Sequence, residues 1–138
     1  MLYGIGCDLC SIARMVKSLL GPHGAVFARR VFGPAEQAAL GLPLAEEEGT
    51  ARRTAHTVAS AAADFAAKEA FLKAAGTGLR EPFSLCEIEA VRLPGGAPAY
   101  RFSGRSAQWV EARRLRAHLS LSHEDGMAMA YCILETET

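Results

Sequence analysis

Nothing in this 138-residue chain runs apolar for long enough to cross a membrane as a helix, which takes about 18 residues. The opening Met-Leu-Tyr-Gly-Ile-Gly also lacks the basic and apolar regions of a signal peptide, so the sequence predicts a cytoplasmic protein. Charge of one sign is missing as well. Fifteen Lys and Arg balance fifteen Asp and Glu, which excludes a surface built for broad adhesion to nucleic acid or membrane. Any anion site must be local. Cysteine is sparse and poorly spaced for metal or redox work. Cys7 and Cys10 stand three apart on a predicted strand, where they project to opposite faces, and Cys86 and Cys132 make no second pair. They read as small hydrophobes. Half of the residues are hydrophobic, enough for one domain over residues 1–138 with a core of its own.

The elements follow from pattern. Leu2 to Leu9 is short and apolar, a buried strand that delivers Asp8 near its end, with Gly4 and Gly6 leaving room for another backbone. Ser11 caps a helix whose Ile12, Met15, Val16, Leu19 and Leu20 repeat at helical spacing, with Arg14 and Lys17 off the stripe and Gly21-Pro22 as the stop. Short helices are predicted over Phe27–Val31 and from Pro34 to about Leu40, then a solvated loop carrying Glu46, Glu47 and Glu48. A long helix starts between Thr50 and Thr54. From Val58 to Ala67 its residues are almost all small, which predicts close packing on a sheet. Leu85–Leu93 and Ala99–Phe102 form a hairpin around Pro94-Gly95-Gly96. Ser106 to Arg116 reads as a helix with Trp109, Val110 and Leu115 inward. A last hairpin joins the alternating His118–His123 to Met127–Leu134 through Asp125-Gly126.

Chemistry gathers in three places: Asp8 with Arg14, the end of the long helix, and the run Ser120-Leu121-Ser122-His123-Glu124. At the helix end, Ala61, Phe65 and Leu72 share one apolar line, flanked by Lys68 and Glu69, with Lys73 a turn further on. Gly76 suits the left-handed position that ends a helix, and Gly78 lets the chain turn again. Taken alone, Glu69 and Lys73 have the spacing of an ordinary solvated i,i+4 pair. Asp8 and Glu69, however, are two carboxylates from different elements, a set that suits a hard cation such as Mg2+ beside phosphate oxygens. The lysines suit the phosphates.

All three segments occur together in the order of one family. Gly4-Ile5-Gly6-Cys7-Asp8 followed six residues later by Arg14, Phe65 to Gly78 (Phe-Ala-Ala-Lys-Glu-Ala-Phe-Leu-Lys-Ala-Ala-Gly-Thr-Gly), and Ser120 to His123 match its motifs. Phe27-Ala28 with Arg30-Val31 and Glu36 match a further segment. The chain resembles the holo-[acyl-carrier-protein] synthases, the small phosphopantetheinyl transferases, over essentially its whole length. The resemblance implies an α+β fold in which an antiparallel sheet packs on a long central helix. It also implies a homotrimer with active sites between subunits. The implied reaction is Mg2+-dependent transfer of 4′-phosphopantetheine from coenzyme A to a serine of an acyl carrier protein of fatty-acid or polyketide synthesis.

Carried over residue by residue, Asp8 and Glu69 hold the metal, Lys68 and Lys73 face the coenzyme phosphates with the Gly76-Thr77-Gly78 turn, and Ser122 and His123 lie near the adenosine 3′-phosphate. Arg14 and Lys17 meet the carrier. Lys73 offsets charge on the departing bisphosphate. The base that takes the serine proton is Glu124 or a water on the metal. Two positions depart from the family. Asp64 stands where relatives have Arg, with Arg52 or Arg53 as possible substitutes, and Gly33 stands where many have Thr, with loss of a helix cap expected. Two other readings stay open: Asp64 leaves a catalytically weakened protein that only binds coenzyme A or the carrier, or the Asp8–Glu69 metal serves a metal-dependent phosphate-ester hydrolase.

Overall fold

The computed structural model describes residues 1–44 and 51–137, with side chains in the second stretch from Thr54 onward. The predicted acidic loop at Glu46–Glu48 and the side chains of Arg52 and Arg53 lie outside the described residues. In chain order the elements are β1 (Leu2–Ser11), α1 (Ile12–Leu20), α2 (Gly24–Val31), α3 (Pro34–Leu40) and α4 (Ala51–Ala75). A 3-10 turn at Leu85–Glu87 follows, then β2 (Ile88–Arg92), β3 (Pro98–Phe102), α5 (Gly104–Ala112), β4 (Leu115–Glu124) and β5 (Met127–Thr136). The fold is α+β. β1, β5 and β4 form a three-stranded antiparallel sheet in that order, and β2 and β3 form a separate hairpin.

The sheet's inner face is built of small residues so that α4 can lie on it. Gly4, Gly6 and Cys10 of β1 sit beside Leu134, Cys132 and Ala128 of β5, and the buried Ala70 and Ala74 of α4 lie directly against the two glycines. Contact is closest at the glycines. A methyl on Gly4 would lie 1.9 Å from the Ala74 carbonyl oxygen, and one on Gly6 would lie 2.0 Å from that of Ala70. The predicted close packing is therefore a direct backbone approach, one of the established uses of glycine in a strand. Cys7 and Cys10 do face opposite ways, the first exposed and the second buried.

On its other side α4 meets α3, β2 and an aromatic group. The Phe71 ring lies 4.9 Å from that of Phe102 and 5.5 Å from that of Phe83, and Phe83 lies 4.9 Å from Trp109. The Tyr100 hydroxyl donates to the Ala67 carbonyl at 2.6 Å. A helix covered on both sides is buried nearly all round, and this overturns one expectation about its charged residues, taken up below.

Three boundaries differ from the sequence reading. Leu85–Glu87 turn as 3-10 before the strand begins, because the Leu85 and Ile88 carbonyls bend to accept Lys68 Nζ at 3.1 and 2.6 Å. α5 ends at Ala112, since Arg114 takes a left-handed φ of 54° that turns the chain so that Leu115 opens β4 opposite Thr136. α2 begins at Gly24, where a side chain would meet the Leu19 carbonyl at the end of α1.

Candidate active site

β1 and α4 together hold the first constellation. Asp8 is on the inner face of β1, two residues past the glycine that lets α4 approach, and Glu69 and Lys73 are one turn apart on that helix. Lys73 Nζ donates to Asp8 Oδ1 at 2.9 Å and to the Cys7 carbonyl at 3.0 Å. The ordinary i,i+4 pairing of Glu69 with Lys73 is thus replaced by a bond between elements. Glu69 is half-buried, and its carboxyl is pushed up from the usual range first by burial and then by the negative charge of Asp8, with Lys73 opposing. Two carboxylates that repel each other, with an exposed ammonium already drawn to one, make a site suited to a cation.

The donor set fits Mg2+ in particular. Among the described residues no three His, Cys, Asp or Glu side chains gather as a cage, and Mg2+ is the ion that takes one or two carboxylates and completes its shell with water and substrate phosphates. Asp8 and Glu69 are the residues that would hold it.

Lys68 is a correction. It was expected at the coenzyme phosphates, but its side chain is 0% exposed and its ammonium is bonded to Glu36, with the Leu85 and Ile88 carbonyls as further acceptors. Burial drives its pKa down while Glu36 supports the charge. No phosphate can reach it without opening the core. The same network answers the question of Gly33. Glu36 accepts the Gly33 N–H at 3.1 Å and that of Ala90 at 3.1 Å, while Glu89 accepts the Glu36 N–H at 2.8 Å. The start of α3 is capped by carboxylates, and a Cβ at Gly33 would lie 2.3 Å from the Glu89 carboxyl carbon. Threonine has no room there.

Gly76 and Gly78 take left-handed φ values of 80° and 62° as expected, but the N–H groups of Gly76, Thr77 and Gly78 all turn back on the Leu72 carbonyl, at 3.1, 3.3 and 3.4 Å. They close a helix C-terminus, the negative end of its dipole, which disfavours an anion. Arg14 and Lys17 are exposed on α1, whose start is capped by Ser11 Oγ accepting the Arg14 N–H at 3.3 Å.

Ser122 and His123 lie elsewhere in the chain. His123 pairs with Ala128 and Asp8 with Ala130, and β4 and β1 flank β5 on opposite sides. Two strand spacings and two residues along β5, together about 12 Å, therefore separate the two groups within one copy. Glu124 is further along, exposed at the β4–β5 turn. Ser122 and His123 instead line a cleft of about 340 Å3 with His56 and Ser60 of α4, Arg92 of β2 and Pro98 of β3. Arg92 and His56 were not singled out from the sequence. Arg92 donates to Asp64 Oδ1 at 3.2 Å, and Asp64 is buried, its carboxyl pushed up to about 6 by burial against the pull of Arg92.

Residues 4–132 match the model of the 4′-phosphopantetheinyl transferase superfamily. The chain is 41% identical over 133 residues to a holo-[acyl-carrier-protein] synthase of Bordetella pertussis, covering 96% of this chain and 82% of that one. Its fold is similar to the crystal structure of a holo-[acyl-carrier-protein] synthase from Neisseria meningitidis, with a TM-score of 0.80 and 31% identity over 99% of this chain and 100% of that one. It is also similar to one from Bacillus anthracis in complex with CoA (3′,5′-ADP), with a TM-score of 0.74 and 29% identity over 99% of each chain. By sequence and by fold, this chain belongs to the 4′-phosphopantetheinyl transferase superfamily, among its holo-[acyl-carrier-protein] synthases.

Proposed function

We propose that this protein transfers 4′-phosphopantetheine from coenzyme A to a serine of an apo acyl carrier protein and releases adenosine 3′,5′-bisphosphate. The observation that carries the reading is the meeting of Asp8, Glu69 and Lys73 where β1 lies against α4, in a chain whose relatives are holo-[acyl-carrier-protein] synthases. In the step, the serine oxygen bonds to the β-phosphorus, the bond from that phosphorus to the bridging oxygen breaks, and the electron pair leaves on the adenosine 5′-phosphate. Lys73 is exposed and offsets the charge collecting on that leaving group. Asp8 and Glu69 are the residues that would hold Mg2+, which would supply Lewis-acid polarisation of the phosphate oxygens.

The carrier docks on α1 and α2 in this reading. Arg14, Lys17, Arg29 and Arg30 are exposed there beside exposed Val16, Leu20 and Val26, a basic and apolar face for an acidic partner.

The assembly is proposed as a homotrimer with sites between subunits. What supports it is the sheet's outer face, where Ile5 and Leu9 of β1 lie beside Ile133 and Met129 of β5, with Tyr131 between, all exposed. An apolar patch of that extent is the kind that another chain covers. His123 and Glu124, two strands away from Asp8 in one copy, then join it from a neighbour, where Glu124 can take the serine proton.

One measurement tests the reading. Incubation with coenzyme A, Mg2+ and an apo carrier should add the phosphopantetheine mass to the carrier. An unchanged carrier with coenzyme A retained would leave a binding protein, and coenzyme A cleaved without carrier would leave a hydrolase. Repeating it across fatty-acid and polyketide carriers identifies the preferred partner.

A further inference from the structure

Lys73 faces two demands. The transfer reaction calls for its ammonium at the leaving phosphate, yet Nζ donates to Asp8 Oδ1 at 2.9 Å and to the Cys7 carbonyl at 3.0 Å. Both acceptors belong to β1, and both bonds come from one flexible stem in the last turn of α4. The Asp8 side chain is recessed, 19% exposed, whereas the Lys73 side chain that reaches over it is 55% exposed. A side chain held only at its tip, with its stem largely in solvent, can leave without opening the core.

The ammonium also stands where a metal ion belongs. Asp8 is one of the two carboxylates available to a divalent ion, and among the described residues the ion pair of Lys73 goes to Asp8 alone, not to Glu69 at i,i+4 spacing. Burial and the charge of Asp8 push the Glu69 carboxyl up, and Lys73 opposes them, so the lysine relieves repulsion between the two acids as a metal ion would. Two positive ions on one carboxylate repel, and the repulsion doubles when one of them carries two charges. A divalent ion and the ammonium therefore compete for Asp8. A diphosphate beside the helix ends the competition. The exposed ammonium gains a more strongly charged partner, and the ion gains the phosphate oxygens that Mg2+ favours.

We propose that Lys73 is the resident counter-cation of Asp8 and is released to the coenzyme's diphosphate, so that a divalent ion and coenzyme A bind this chain with positive cooperativity. The identity of the diphosphate rests on the transferase reading; the competition at Asp8 does not. The two carboxylates stay compensated in both states, by the ammonium without coenzyme and by the divalent ion with it. The cooperativity is reciprocal. Whatever factor coenzyme A adds to the affinity for the ion, the ion adds to the affinity for coenzyme A.

The test counts free Mn2+ by electron paramagnetic resonance as the intact protein is titrated, since Mn2+ shares the preference of Mg2+ for carboxylate and water. Without coenzyme A, Lys73→Met and Lys73→Gln should each bind Mn2+ about fivefold to thirtyfold tighter than wild type, the range set by an exposed ion pair and by repulsion between a divalent ion and an ammonium in water. Lys73→Arg keeps a cation and should bind Mn2+ no tighter than wild type. Adding Asp8→Asn to Lys73→Met should abolish the gain. Coenzyme A should then raise Mn2+ affinity by a larger factor in wild type than in Lys73→Met. A lysine that served only as a phosphate contact would leave the coenzyme-free affinity unchanged in every Lys73 variant. That result, a gain that survives Asp8→Asn, or equal factors in wild type and Lys73→Met overturns the inference. The carrier mass measurement is independent of these titrations. A carrier that gains no mass while the coupling to coenzyme A persists overturns the transferase reading and leaves the competition at Asp8 standing.

Discussion

Placing a methyl group on Gly6 should damage stability and chemistry together. The new carbon would lie 2.0 Å from the Ala70 carbonyl oxygen and 2.7 Å from the Ala74 amide nitrogen, in a contact that needs at least 3.0 Å. Neither obstacle is a flexible side chain. β1 is held by its ladder to β5, where Gly6 faces Cys132, and α4 is held from behind by the Phe71 group. One of them must retreat by about 1 Å, an overpacking that costs about 1–3 kcal/mol. For a chain of this size that lowers the melting temperature by about 3–15 °C. The same retreat separates Asp8 on β1 from Glu69 and Lys73 on α4, stretching the 2.9 Å contact beyond hydrogen-bonding range. A misplacement of about 1 Å among reacting groups can cost about a hundredfold in rate. Thermal melts and kcat for carrier modification, taken well below the melting temperature, check both effects. Gly95→Ala, where nothing lies within 4 Å, is the control and should be neutral. A Gly6→Ala protein that melts within a degree of wild type and turns over normally would refute the reasoning.

Lys68→Met strands the buried Glu36 carboxylate and should cost about 3–5 kcal/mol in denaturant unfolding, whereas Lys68→Met with Glu36→Gln should recover most of that and retain near-normal kcat. Asp8→Ala and Glu69→Ala should each lower transfer by orders of magnitude with unchanged circular dichroism, because each removes one of two protein oxygens available to the metal; near-normal activity at low Mg2+ would defeat the assignment. Arg14→Ala should raise KM for the carrier and flatten its dependence on ionic strength, with little change in KM for coenzyme A. Kinetics at two salt concentrations, varying each substrate in turn, read this out.

Local pattern was enough for much of this protein. The Ser11 cap and the spacing of Met15 and Leu19 specify α1 because a helix is stabilised by neighbours three and four residues apart. The small residues of α4 and the two glycines of β1 announce a close contact because no other composition permits one. Asp125-Gly126 makes its turn for a similar reason, both residues taking the left-handed φ that the turn demands. Asp8, Glu69 and Lys73 were legible as chemistry by type and order in the chain. Which groups face them was not. The partner of Lys73 lies 65 residues away, and the choice of Asp8 over Glu69 depends on the register of β1 against α4. Lys68, one position from Glu69, has a periodicity that suits a flanking surface charge, and it became a buried ion because α3 and β2 cover that side of the helix and bring Glu36 to it. The same covering decided that Gly33 has no room for a side chain. Arg92 follows this logic at the cleft. Sequence alone marks Asp64 as an acid out of place, and only the hairpin's position shows it holding a cation, since burial of a charge is determined by what the topology brings opposite it.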